Sequence, residues 1–374
     1  MSVQYKHTMK IETLTRRQLN RATLARQMLL ARETLSAVEA VERLCGMQAQ
    51  EAKPPFIGLW TRVEGFRREA LYSALHERDV VRATLMRATL HLMSARDYAA
   101  LRMAIQPVMT QAMGALGARA EGLELEEVLP VTRTLLNDEP RTFNELRALL
   151  LNAFPQVNDR ALGYTVRMQL PLVMVPTEDR WAFPSVADFT LAERWLDEPL
   201  SNDETPQALL FRYLAAFGPA TAADVQTWSG LKGIKSVLEE MRPRLRVFKD
   251  ERGRELFDLP EAPRPDEDIA APPRFLPEFD NLVLAHSDRT RVLAHEYRGL
   301  VVTRNLRVRA TFLWGGFVRG TWHVARKKNA ATLHITPFEV LPRQAENELA
   351  AEGEALLRFI EEDASTFDLI FQDR

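Results

Sequence analysis

Two glutamines separated by one small residue, Gln48-Ala49-Gln50, are the side chains of this sequence best suited to chemistry. A carboxamide both donates and accepts hydrogen bonds, so a pair can hold a water molecule without changing protonation state. On an extended segment, residues two apart project to the same side, which would bring both amides to one face. Such a pair positions a nucleophile but supplies no proton. That suits hydrolysis of a bond whose leaving group already carries positive charge. With 13 glutamines in 374 residues the tripeptide is no signature by itself, so its weight rests on its surroundings.

The flanking residues delimit a helix that delivers the pair. Ser36-Ala37-Val38-Glu39 reads as a capping box. Val38, Val41 and Leu44 recur at helical spacing up to a stop at Gly46. Lys53-Pro54-Pro55 cannot extend that helix. Capped helix, second helix and strand hairpin then recur three times along the chain. In the first unit, helices are predicted over 15–31, 36–45 and 67–78, with strands at 80–85 and 89–93 around Met86-Arg87-Ala88 and a Ser94-capped helix to about Leu116. The second opens on Thr142-Phe143-Asn144-Glu145, has an Asn158-led helix to about Leu170, and pairs 172–175 with 181–183. The third opens on Thr221-Ala222-Ala223-Asp224 and pairs 245–248 with 256–259. Helix, helix, hairpin is the winged helix-turn-helix order. Five prolines between Pro260 and Pro273 read as a linker. Strand-like segments follow at 282–285, 300–303, 307–313, 316–324 and 331–335, then a helix from about Pro342 to Ile360.

The predicted fold is therefore α+β: three tandem winged helix-turn-helix repeats (1–119, 120–200 and 201–260), a linker (261–273) and a small β-barrel-like domain with a terminal helix (274–374). The single cysteine, Cys45, excludes a disulfide framework and reads as a packing thiol in a reducing cytoplasm. No apolar run approaches a membrane span and no signal-peptide pattern opens the chain. The net charge of −2 conceals a strong asymmetry. Residues 1–119 hold 18 Lys/Arg against 10 Asp/Glu, whereas 120–265 hold 17 against 24. Residues 266–340 hold 11 against 8, and 341–374 hold 3 against 9. Two arginine-rich stretches at opposite ends could converge on one DNA groove, and salt-sensitive binding is expected to come from them rather than from 120–265.

The text from Thr23-Leu24-Ala25-Arg26-Gln27 through Gln48-Ala49-Gln50 to Met86-Arg87-Ala88-Thr89-Leu90-His91 resembles the AlkZ/YcaQ-like family of bacterial crosslink-repair DNA glycosylases. So does Arg274-Phe275-Leu276-Pro277-Glu278-Phe279-Asp280-Asn281 through His286-Ser287-Asp288-Arg289-Thr290-Arg291. The family is built of winged-helix repeats, and its catalytic element is Gln, an apolar residue, then Gln or Asp. The resemblance implies catalytic Gln48 and Gln50, and double-stranded DNA carrying bulky alkylated or crosslinked purines as substrate. Alkylation at N7 makes a purine cationic and a good leaving group, so water placed by amides would suffice. Carboxylates do this work in most glycosidases.

Arg87 and His91 lie at the first hairpin, where the wing could fold back on the glutamines. His286, Arg289 and Arg291 form a polar loop within the second family block, and Lys327 and Lys328 a basic hairpin tip. All seven are candidate DNA contacts. Trp314, Phe317 and Trp322 read as core. The seven histidines show no metal spacing. No phosphate loop, serine elbow or Schiff-base lysine is present, so no cofactor is expected and the reaction reads as monofunctional hydrolysis by a monomer. The alternative is a non-catalytic winged-helix regulator, since a wing alone implies no chemistry.

Overall fold

The first unit is built from locally decided elements. Thr15 caps Arg16–Arg26 and Ser36 caps Ala37–Arg43, each in a reciprocal capping box. The first helix stops short of its predicted end because Met28 adopts φ 55°. After Ala37–Arg43 the chain turns through Cys45 (φ 54°) and Gly46 (φ 82°). A Cβ at Gly46 would sit 2.8 Å from the Leu92 carbonyl oxygen, so this close approach requires glycine. The turn lays Met47–Gln48 against Leu90–Ser94 as an antiparallel edge strand. Pro54 and Pro55 do not extend the previous helix. They open a new one, Pro54–Trp60, where a missing N–H costs nothing. Ser94 caps Ala95–Leu101, but the long helix expected beyond it breaks into Met103–Ile105, Gln106–Ala112 and Met113–Ala120, with Pro107 at the start of the second piece.

The computed structural model describes residues 11–372 and arranges them around three sheets. Two of the hairpins are not separate wings. Met47–Gln48, Leu90–Ser94, Val80–Thr84, Leu172–Met174 and Phe189–Leu191 form one five-stranded sheet in that order, joined across Ala83 and Val173. The partner of Leu172–Met174 is Phe189–Leu191 rather than the predicted 181–183. The latter is held in a turn, where the Ala182 amide donates to the Asp179 carbonyl and the Trp181 ring packs edge-on against Phe56 at 5.2 Å. The third hairpin, Arg246–Asp250 with Glu255–Asp258, takes Thr13–Leu14 as a parallel third strand.

The C-terminal sheet does not close into the expected barrel. Its order is Thr366–Phe371, Ala330–Pro337, Phe317–Lys327, Thr311–Trp314, Arg274–Leu276, and the two outer strands never meet. The helix Arg343–Ile360 covers one face instead, packing Leu349, Leu356 and Leu357 against Phe275, Phe312 and Leu333. An apolar face buried by a helix has no need of closure. The segments read as strands at 282–285 and 300–303 are a 3-10 turn, Asn281–Val283, and a short helix, Arg298–Val301.

The helix Arg16–Arg26 is a central strut. Arg26 forks onto Asp258 at 2.7 and 2.9 Å in a fully buried pair, and Asn20 donates to the carbonyls of Arg291 and Gly316. Removing Asp258 would cost about 3–5 kcal/mol, because the Arg26 guanidinium would be left buried without a carboxylate, whereas Asp258 also has Arg264 at 2.5 Å. The proline-rich segment is strapped along the same helix. Arg17, Arg21 and Arg26 donate to the carbonyls of Glu267, Ile269 and Pro263. Among the described residues no helix is long and apolar enough to cross a membrane.

Candidate active site

Met47 and Ala49 point into the main apolar core, which sends Gln48, the last residue of the strand, to the opposite side, and Gln50 follows in a bend. Gln48 is nearly buried, whereas Gln50 is exposed and its amide has no partner among the described residues. The Gln48 carbonyl oxygen accepts from Arg87 Nη2 at 2.6 Å, and Arg87 Nη1 donates to the Trp228 carbonyl at 2.5 Å. Arginine has only donors, so this contact fixes which way the Gln48 amide faces. Arg87 can reach inward because it sits at φ 57° in the hairpin turn.

His91 lies across the ladder from Gln48 and is fully buried. Its Nδ1 is 2.9 Å from the Thr89 carbonyl, and its Nε2 faces Arg87 Nη2 at 3.4 Å. Burial first, and then the Arg87 charge, push its pKa down to about 3. It is a neutral ring, with Nδ1–H donating to Thr89. The backbone of the pair is held separately. Arg82, buried two strands away in Val80–Thr84, donates from Nε to the Ala49 carbonyl (2.9 Å) and from Nη2 to the Gln50 carbonyl (3.2 Å).

The second block of the chain meets the first here. Pro277, Glu278, Phe279, Asp280 and Asn281 line a narrow crevice with Gln48. Asn281 Nδ2 donates to the Gly46 carbonyl at 2.9 Å, and Asp280 takes the buried Arg62 guanidinium at 2.8 Å. Glu278, half-buried, is paired with Arg307 at 3.1 Å. Both crevice carboxylates are thus engaged by arginine. Arg82, Glu278 and Asn281 were not among the residues expected at the site. The only sequence sign for Arg82 is a cation within a small and apolar strand.

The remaining candidates divide. His286 and Arg291 lie in the interior, not at the surface where DNA contacts were expected. His286 Nε2 is 3.0 Å from the Phe217 carbonyl, and Arg291 donates to the Pro219 carbonyl at 3.0 Å. The apolar neighbours Ala285, Val292 and Leu293 draw this loop inward, with buried Asp224 beside it. Burial, and then Arg291, depress the His286 pKa to about 3. Arg289 is half-buried and close to Arg87, whose pKa falls to about 10 through burial and then the Arg289 charge. Lys327 and Lys328 are exposed at their hairpin tip, where neighbouring Arg326 faces Asp363. Among the described residues no group of three or more His, Cys, Asp or Glu side chains could hold a metal. Cys45 is buried, and burial pushes its thiol well up, so it is no nucleophile.

The family model described as DNA glycosylase AlkZ-like matches residues 41–359. A curated relative, the interstrand DNA cross-link repair glycosylase of Streptomyces sahachiroi, is 27% identical over 362 residues, covering 88% of this chain and 92% of the relative. The solved Streptomyces sahachiroi DNA glycosylase AlkZ has the same fold at a TM-score of 0.78 and 21% identity, covering 96% of this chain and 100% of that one.

Proposed function

This chain belongs to the AlkZ-like DNA glycosylase family, and from that premise we propose that it hydrolyses the N-glycosidic bond of N7-alkylated, cationic purines in double-stranded DNA, with Gln48 and Gln50 positioning the water. As a glycosylase it is a hydrolase of N-glycosyl bonds. That sets aside the non-catalytic regulator. The observation that carries the water assignment is the contrast between the two amides: Gln48 locked by Arg87, Gln50 exposed two residues further on and unpartnered among the described residues.

With its carbonyl taken by Arg87, Gln48 offers N–H groups to the water oxygen. Gln50 accepts one water proton in a hydrogen bond and turns a lone pair toward the sugar carbon. As the water oxygen bonds to the sugar carbon the C–N bond breaks and its electron pair leaves with the purine; the surplus proton passes to bulk water beside the exposed Gln50, since neither amide keeps it. The alkylated purine needs no acid, because it leaves as a neutral base. Bulky and crosslinked adducts are included in this reading, in line with the name of the Streptomyces relative. The enzyme acts as a monomer in the cytoplasm, and Arg87, Arg289, Lys327 and Lys328 remain on the DNA-facing side.

The test is incubation with duplexes carrying N7-methylguanine or a bulky N7 adduct, followed by detection of abasic sites. Gln48→Ala and Gln50→Ala should each lower excision by about 100-fold, the scale of losing one preorganised hydrogen-bonding group. DNA affinity should stay near wild type, since the amides act mainly in the transition state. Gln50→Asp should keep activity. Full activity in the double alanine variant would remove the assignment.

A further inference from the structure

Beside the candidate active site, the tip of the third hairpin faces the loop that follows His286 across a groove of about 300 Å³. Arg252 and Arg254 line one wall, and Arg289, His295 and Arg298 the other, with Asp288 between them. Asp288 is already engaged. It accepts Arg254 Nη2 at 2.8 Å, Arg252 Nη1 at 3.1 Å and the Thr290 hydroxyl at 2.7 Å. Although burial pushes its pKa upward, Thr290 and then Arg254 hold it at about 2, so it stays anionic. One carboxylate, with Asp250 sharing Arg254, does not balance four guanidiniums.

Arg289 and Arg298 have no carboxylate or hydrogen-bond partner among the described residues, and Arg289 Nη1 is buried with nothing to receive its protons. A cation left unpaired in a half-buried position is costly unless a ligand completes it. Its planar fork suits a tetrahedral oxyanion. We propose that this groove binds one backbone phosphate of the DNA, with Arg289 and Arg298 as its ligands and Arg252 and Arg254 flanking it. The proposal rests on the DNA glycosylase reading for its choice of anion. It also makes the third hairpin, which lies in the acidic stretch of the sequence, part of the grip on DNA. Because Arg289 neighbours Arg87, the phosphate sits close to the nucleotide presented to Gln48.

The salt titration uses the full chain and undamaged duplex, so that it reads binding independently of excision. Glutamine at both positions (Arg289→Gln with Arg298→Gln) should weaken binding at least tenfold at low salt. It should also flatten the dependence of log K on log salt by about 1, the share of one phosphate. Lysine at both positions should restore most of that slope, and melting temperature should not fall, because no protein contact is lost. A methylphosphonate scan around a single N7-alkylguanine, which fixes the register, read in the Gln50→Ala background so that the lesion persists, should find one neutral linkage that weakens binding by the same factor and leaves the protein with both arginines changed to glutamine unaffected. An unchanged salt slope, or binding indifferent to every neutral linkage, overturns the proposal. So does displacement of DNA by millimolar inorganic phosphate beyond its ionic strength without linkage-specific loss, which would make the anion a free one. Normal phosphate binding by a protein that excises nothing would sink the glycosylase mechanism and leave the groove standing.

Discussion

His91 sits across the ladder from Gln48, one of the two amides proposed to position water, and is held uncharged near neutral pH. Its folded pKa of about 3 lies below the ~6.5 of an exposed histidine, and His286 is depressed to a similar value. Such a group takes up a proton on unfolding whenever the pH lies between those two values, so stability is full above ~6.5 and declines as pH falls through the window. The slope is about 1.4 kcal/mol per pH unit per histidine. Melting at pH 7, 6 and 5 should show Tm falling, with His91→Gln making the fall shallower. If wild type and variant decline in parallel, His91 is protonated in the fold and returns as a candidate acid. The same residue separates what a sequence displays from what only the fold supplies. Two amides at a short spacing can be seen in the sequence, whereas the neutrality of His91 depends on burial that the sequence does not display.

At the scale of elements, the strand Val80–Thr84 carries the clamp on the Gln48 segment. Arg82→Met should lower single-turnover excision at least tenfold while DNA affinity stays within about threefold, because the carbonyls of Ala49 and Gln50 lose their anchor but no DNA contact is removed. Arg82→Lys should recover part of that loss through one hydrogen bond. A variant that melts earlier yet excises normally per folded molecule would reduce Arg82 to a structural role. Elements decided locally were readable: Ser36, Thr142 and Thr221 all cap the helices that their capping boxes announced. Elements decided at a distance were not. The carbonyls that Arg82 holds lie 33 and 32 residues away, and Asn281 reaches back 235 residues to Gly46. The Phe189–Leu191 strand was missed because a short run of three has no period to read until a partner selects it.

Across the whole molecule, the arginine-rich first segment proves a poor guide to its surface. Arg21, Arg26, Arg62 and Arg82 are buried, holding carbonyls, Asp258 or Asp280 rather than awaiting phosphate, and Arg102 is buried too. Substrate scope is the whole-molecule property most exposed to test. The crevice carboxylates are paired with arginines and both nearby histidines are neutral, so no group stands ready to protonate a departing base. The protein should release N7-methylguanine and other cationic purines but leave uracil, hypoxanthine and 8-oxoguanine in place at saturating enzyme. Glu278→Gln should leave N7-methylguanine release within about threefold. Efficient uracil release would reveal an acid and overturn the mechanism, with Glu278 the first to suspect.

The seam between Ala83 and Val173 bears on how such a protein could be taken apart or recombined. The strand that carries Arg82 is central in a sheet whose other half belongs to the next unit, so residues 1–119 expressed alone would present Val80–Thr84 as a raw strand edge. That fragment should be insoluble. The chemistry is therefore not portable with the segment that bears it: any lineage or design that shuffles these units must move the first two together.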